Sequence, residues 1–175
     1  MSKKNVANDS TLKPFFEELN KYADGVHTLN EGISNDEIER LEKHLNIKLP
    51  LVYKKFLQIC NGGELFAVPV GTVISEVHVP SKGPMQIGGA YLNEAFKVER
   101  RWPGMPQDYL IIADTSYGDT ICMDLSTNDG NEAEIVKWSH EDGDISNRWR
   151  RLIDWLMEEL EIGAMLVSYD GSDKD

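Results

Sequence analysis

Basic charge is what this sequence has least of for its length: 18 lysines and arginines face 30 aspartates and glutamates, a formal net charge of −12. A chain so biased repels a phosphate backbone, which argues against nucleic acid as a partner. Cysteine is scarce as well, with only Cys60 and Cys122, too few for a disulfide-stapled secreted scaffold. One falls in an amphipathic helical pattern and the other in an alternating strand pattern, so both read as buried thiols. Long apolar runs are missing: nothing approaches the roughly 20 residues a membrane-spanning helix needs. No apolar stretch of secretory type follows Met1 to Asn5. The expectation is a soluble, cytoplasmic chain with no membrane partner. Its 175 residues suit one substantial core, hence a single domain over 1–175, with residues 1–9 and 170–175 expected to be flexible.

Recognisable catalytic and metal-binding patterns are lacking too. His27, His44, His78 and His140 are dispersed, and no pair has the helical spacing of a zinc motif. Neither cysteine has a histidine beside it in sequence. Residues 124–132, DLSTNDGNE, resemble a calcium loop but place Asp129 where that loop needs glycine for its sharp turn. Gly62-Gly63 and Gly88-Gly89 lack the lysine of a phosphate loop. No metal and no cofactor are expected. Arg148, Arg150 and Arg151, like Lys97, Arg100 and Arg101, could meet an anion, or could simply balance nearby acids on solvated faces. His140, in Trp138-Ser139-His140-Glu141-Asp142, follows a strand, where a turn role competes with that of a base.

What is present is clearest between Ile33 and Gly63. Ser34 and Glu37 have capping-box spacing, in which each side chain satisfies a backbone N–H left unpaired by helix geometry. Ile33 and Ile38 are spaced as a hydrophobic staple. Ile38, Leu41 and Leu45 recur on one helical face, assigning Glu37, Arg40, Glu42 and Lys43 to solvent. Asn46 can end this helix in a left-handed conformation. Pro50 then suits the first turn of a second helix whose inner face is Val52, Tyr53, Phe56, Leu57 and Cys60, and Asn61-Gly62-Gly63 reads as its stop.

Around this hairpin the pattern is simpler. Leu12, Phe15, Phe16, Leu19 and Tyr22 mark a short first helix capped by Ser10 or Thr11. Residues 66–68 and 70–79 are rich in β-branched side chains, Met85 to Ile87 is a short strand, and Leu92 to Val98 suggests a brief helix. Tyr109–Ala113, Thr120–Leu125 and Ala133–Trp138 form an antiparallel meander, with Tyr117-Gly118-Asp119 and Asp129-Gly130 as its turns. From about Ser146, Trp149, Leu152, Ile153, Leu156 and Leu160 outline a terminal helix. Helices, then strands, then a helix argue for α+β.

The hairpin, taken with Leu110-Ile111-Ile112-Ala113-Asp114, Gly118 to Asp124 and Ile135 to Glu141, resembles the SUKH superfamily over about residues 30–160. That superfamily holds bacterial toxin-neutralising immunity proteins and a fungal cell-wall-synthesis regulator. The resemblance implies a twisted antiparallel sheet packed with N-terminal helices and a C-terminal helix. It also implies a non-catalytic protein-binding role, without turnover.

The charge is localised: residues 108–146 carry ten acids against the single base Lys137, nine of the twelve net negative charges. Such a field favours a basic protein partner; the competing reading is a solvated face that aids solubility. Asp114, Tyr117 and Asp119 at one turn, with Glu141, Asp142 and Asp144 after the last expected strand, are the candidate partner-binding residues. For Asp119, shaping the turn and meeting a partner weigh equally. The leading expectation is an immunity protein that binds a basic, nuclease-like toxin domain. A regulatory scaffold for an endogenous partner is the alternative, and a small enzyme using the Asp/His140 region is the third reading.

Overall fold

A computed structural model describes residues 10–66, 85–87, 102–115 and 118–174. Among these residues the chain is α+β. Helix α1 (Lys13–Leu19) and strand β1 (Thr28–Glu31) lead into α2 (Asn35–Leu45) and α3 (Leu51–Ile59). Strands β2 (Cys60–Leu65), β3 (Met85–Ile87), β4 (Tyr109–Asp114), β5 (Thr120–Asp124), β6 (Glu134–Ser139) and β7 (Asp144–Trp149) follow, and α4 (Leu152–Ala164) closes the fold. All described strands lie in one sheet in chain order, each antiparallel to the next. The segments 70–79 and 92–98, read above as strand and helix, lie outside the described residues.

The hairpin begins as its sequence dictates. Ser34 Oγ accepts from the Glu37 N–H while the Glu37 carboxylate accepts from the Ser34 N–H at 2.8 Å, and Asn46 closes α2 with φ +53°. The second stop differs from expectation. Helix α3 ends at Ile59, and Cys60 opens β2 rather than extending the helix. Asn61-Gly62-Gly63 is strand: a Cβ on Gly63 would lie 2.2 Å from the Thr28 carbonyl oxygen, and its φ is +138°. The glycine permits close approach of β2 to β1, a demand no local pattern displays.

Glu42 is a second correction. Assigned above to solvent, it is buried at 5 % exposure, with Lys54 Nζ 2.7 Å and Lys48 Nζ 3.4 Å from its oxygens. It also accepts from the Leu49 N–H at 2.8 Å, tying α2 to the turn before α3. Burial pushes this carboxyl up, but the Lys54 and Leu49 hydrogen bonds outweigh it, leaving the group below its ordinary value.

The helices cover one face of the sheet. Phe15, Phe16 and Phe56 cluster with ring centroids 5.1–6.4 Å apart, joined by Ile38, Leu57, Ile112, Ile121, Met123, Trp155 and Leu156. On the other face Met105, Tyr109, Ile111, Cys122, Val136 and Trp138 form a separate cluster. Strand β5 therefore sends Ile121 and Met123 to one core and Cys122 to the other, and all five of its residues are buried.

Strand β7 was not foreseen. Its sequence, DISNRW, buries only Trp149, so it has no apolar alternation to read, and Trp149 joined the helical pattern by chance spacing. The terminal helix instead starts at Leu152, and its buried face includes Leu152, Ile153, Trp155, Leu156 and Leu160. The terminal segment turns back on the body. Val167 is buried and bridges Asp173, the Ala23 N–H donates to the Tyr169 carbonyl, and Tyr169 OH donates to Glu18 at 2.9 Å.

Candidate functional site

In an antiparallel meander, alternate turns emerge at the same end of the sheet. The β4–β5 turn and the β6–β7 turn therefore share one end, and with them come Asp114, Asp119, Glu141, Asp142 and Asp144. Tyr117 lies outside the described residues. The acids do not have equal standing. Glu141, Asp142 and Asp144 are exposed, Asp114 is half-buried at the close of β4, and Asp119 is buried.

Asp119 binds the two turns together. Its Oδ1 accepts from the backbone N–H of His140 at 3.1 Å and from His140 Nδ1 at 2.9 Å. Its Oδ2 lies 3.4 Å from Lys137 Nζ. Its own backbone carbonyl accepts from Thr115 N–H and Thr115 Oγ1, each at 2.9 Å. Burial pushes the Asp119 carboxyl up, but the His140 hydrogen bonds and the Lys137 charge outweigh this and hold it below the usual range. Gly118, at φ +99°, leaves room for the imidazole: a Cβ there would lie 3.3 Å from His140 ring atoms.

The far wall is aromatic. Trp102, 37 % exposed, lies with its ring centroid 5.6 Å from that of His140 and tilted by 38°. Its Nε1 donates to Thr120 Oγ1 at 3.0 Å. In the exposed turn, Ser139 Oγ donates to Asp142 Oδ2 and accepts from the Asp142 N–H, both at 3.2 Å. The result is two turns joined through Asp119 and His140, an exposed indole, and carboxylates at the rim. Trp102 and Lys137 were not among the expected site residues. Trp102 sits in a Trp-Pro-Gly breaker and Lys137 in a strand, and neither signals its three-dimensional neighbours.

Chemically, the ionised carboxylate can only accept, so His140 Nδ1 donates, and in a neutral ring Nε2 would then be the acceptor. This is the base-and-orienter half of a hydrolytic arrangement. Among the described residues, no hydroxyl or thiol is bonded to Nε2, and no group of three or more His, Cys, Asp or Glu side chains could hold a metal. The pairing instead joins two turns.

At the opposite end of the sheet, the calcium-like loop caps a helix. The carbonyls of Gly130 and Asn131 accept from the N–H groups of Leu51 and Val52 at the start of α3, and Asn128 Nδ2 donates to the Lys48 carbonyl at 2.9 Å. Asp129 Oδ1 accepts from the Asn131 and Glu132 N–H groups. Beside it, Thr127, Glu132, Glu134, Arg150, Arg151 and Asp154 line a cleft of about 600 Å³. Two arginines of this region balance acids: Arg151 pairs with Asp154 at 2.5 Å and Arg148 with Glu134 at 3.0 Å.

A seven-stranded antiparallel meander among the described residues, packed with helices on one face, defines an α+β scaffold with its candidate carboxylates at the turns. The chain belongs to the SMI1/KNR4 family (SUKH-1), whose family model matches residues 32–158. A crystal structure of a protein from Pseudomonas syringae pv. tomato is similar, with a TM-score of 0.50 and 18% identity, covering 86% of this chain and 99% of that one. That likeness extends to the fold. No curated protein matches the chain. Among the described residues, no helix is long and apolar enough to cross a membrane.

Proposed function

We propose that this chain is a non-catalytic, cytoplasmic protein-binding domain that neutralises a cognate basic toxin domain, of nuclease type, by occluding it. The observation that carries this reading is the convergence of Asp114, Glu141, Asp142 and Asp144 at one end of the sheet, on turns locked by Asp119. The Asp119–His140 contacts tie the two turns together, which lowers the ordering entropy that opposes binding. A negative rim accelerates encounter with a positive surface and rejects acidic partners. Family membership supports a protein-binding role without naming the partner.

The test is the association rate with a basic nuclease-type toxin domain retained by the chain on affinity capture, measured by stopped flow at low and high salt. Neutralising Asp114, Glu141, Asp142 and Asp144 together is expected to slow association by about tenfold and flatten its salt dependence. A rate indifferent to all four substitutions would overturn the surface. Retention of only endogenous synthesis or signalling proteins on affinity capture would favour the regulatory-scaffold alternative.

A further inference from the structure

Among the described residues, the two outer strands of the sheet are managed differently. Strand β1 is four residues long and carries a register irregularity between Leu29 and Glu31. Strand β7 is six residues long, with Asp144, Ser146, Asn147 and Arg148 exposed. A long exposed edge presents unpaired N–H and C=O groups, a template for another strand. On β7 two of these donors are already occupied. The Ile145 N–H donates to Asp144 Oδ1 at 2.7 Å and the Arg148 N–H donates to Asn147 Oδ1 at 2.8 Å.

Residues three apart fall on opposite sides of a regular strand. Here the pairing passes from Trp138↔Ile145 to Lys137↔Asn147, so Ser146 is an inserted residue. The bulge changes the alternation, and both amides come to the same side. Each is met by the side chain immediately before it, and both acceptors are short side chains that reach their neighbour's amide readily.

We propose that Asp144 and Asn147 close the outer edge of β7 against pairing with a second copy of this chain. A two-fold antiparallel pairing of β7 with itself is the contact this edge would otherwise offer, since the same surface serves on both sides. The inference is independent of the toxin reading, because it concerns the free chain and needs no partner.

The test uses the whole chain and two readouts. Amide exchange by NMR is expected to quicken by about fivefold to tenfold at Ile145 in Asp144→Ala and at Arg148 in Asn147→Ala, each variant affecting its own amide. In sedimentation, the double variant is expected to self-associate with rising concentration where the parent does not. Asp144→Asn keeps an acceptor oxygen while losing the charge, so it should behave as the parent. Unchanged exchange at both amides, or a double variant that sediments as the parent at every concentration, would overturn the proposal. So would self-association of Asp144→Asn combined with Asn147→Ala equal to that of the double alanine variant, since charge repulsion would then be the barrier.

Discussion

The helical hairpin and the strand meander each carry one buried carboxylate beside a lysine, and the two differ in what they join. Glu42 works within the hairpin, linking α2 to the turn seven residues on through the Leu49 N–H. Asp119 works across the meander, linking turns 21 residues apart through His140. Glu42 is enclosed and its loss strands a backbone N–H in the core. Asp119 faces a histidine and a lysine that both reach solvent, with side-chain exposures of 29% and 23%. A carboxylate that serves a buried donor should therefore matter more for stability than one that organises a surface.

Glu42→Ala is expected to cost about 3 kcal/mol in urea unfolding, because it leaves Leu49 N–H without its acceptor and Lys54 without its counter-charge. A loss below about 1 kcal/mol would remove the contrast. Asp119→Ala is expected to cost about 2 kcal/mol, with NMR shift changes reaching His140 and the β6–β7 turn. Asp119→Asn keeps an acceptor and should recover part of that loss. Since folding lowers the Asp119 pKa, its stabilisation is present above its unfolded value of 3.8 and is lost as pH falls through the folded value. The Asp119→Ala difference should accordingly shrink in acid.

A third carboxylate has the opposite sign. Burial pushes Glu159 up to about 7, neighbouring Glu158 adds to the rise, and the Trp155 indole N–H and Lys137 oppose it. The folded chain binds this proton more tightly than the unfolded one, so stability rises as pH falls from about 7 toward 4.5. Glu159→Gln should be more stable than the parent by about 1–2 kcal/mol above pH ~7, with the two converging below pH ~4.5. The same titration should uncover His27, whose pKa burial lowers from 6.5 to about 4. Unfolded His27 takes its proton first, so its contribution erodes as pH falls through that window. Glu132, which burial also pushes up, adds a gain of its own in acid, so in Glu159→Gln the stabilisation on acidification should be smaller than in the parent between those values. A variant that gains as much stability on acidification as the parent would contradict the assignment to Glu159.

Legibility in the sequence followed the range of the interactions. The capping box at Ser34 and Glu37, the left-handed Asn46 and the core face of α2 depend on neighbours within one or two helical turns. Strands β4, β5 and β6 were legible because apolar runs and Asp129-Gly130 mark them locally. Strand β7 was not, because an edge strand with exposed side chains has no burial to encode. The acidic residues were read as one face, yet Asp119 and Asp124 are buried: Asp119 in the clamp, and Asp124 accepting from the Ser126 N–H at 3.0 Å.

The sequence by itself determined the α+β class, the helical hairpin, the family resemblance and the concentration of acid in residues 108–146. Those properties follow from periodicity, capping and composition, each of which acts over a few residues or over the whole chain. Only the tertiary structure decided that Glu42 and Asp119 are interior clamps, that Gly63 serves a strand contact, and that Trp102 stands over His140. A carboxylate's role depends on which donors the fold brings within about 3 Å of it, and those donors come from segments whose proximity is a property of the folded chain.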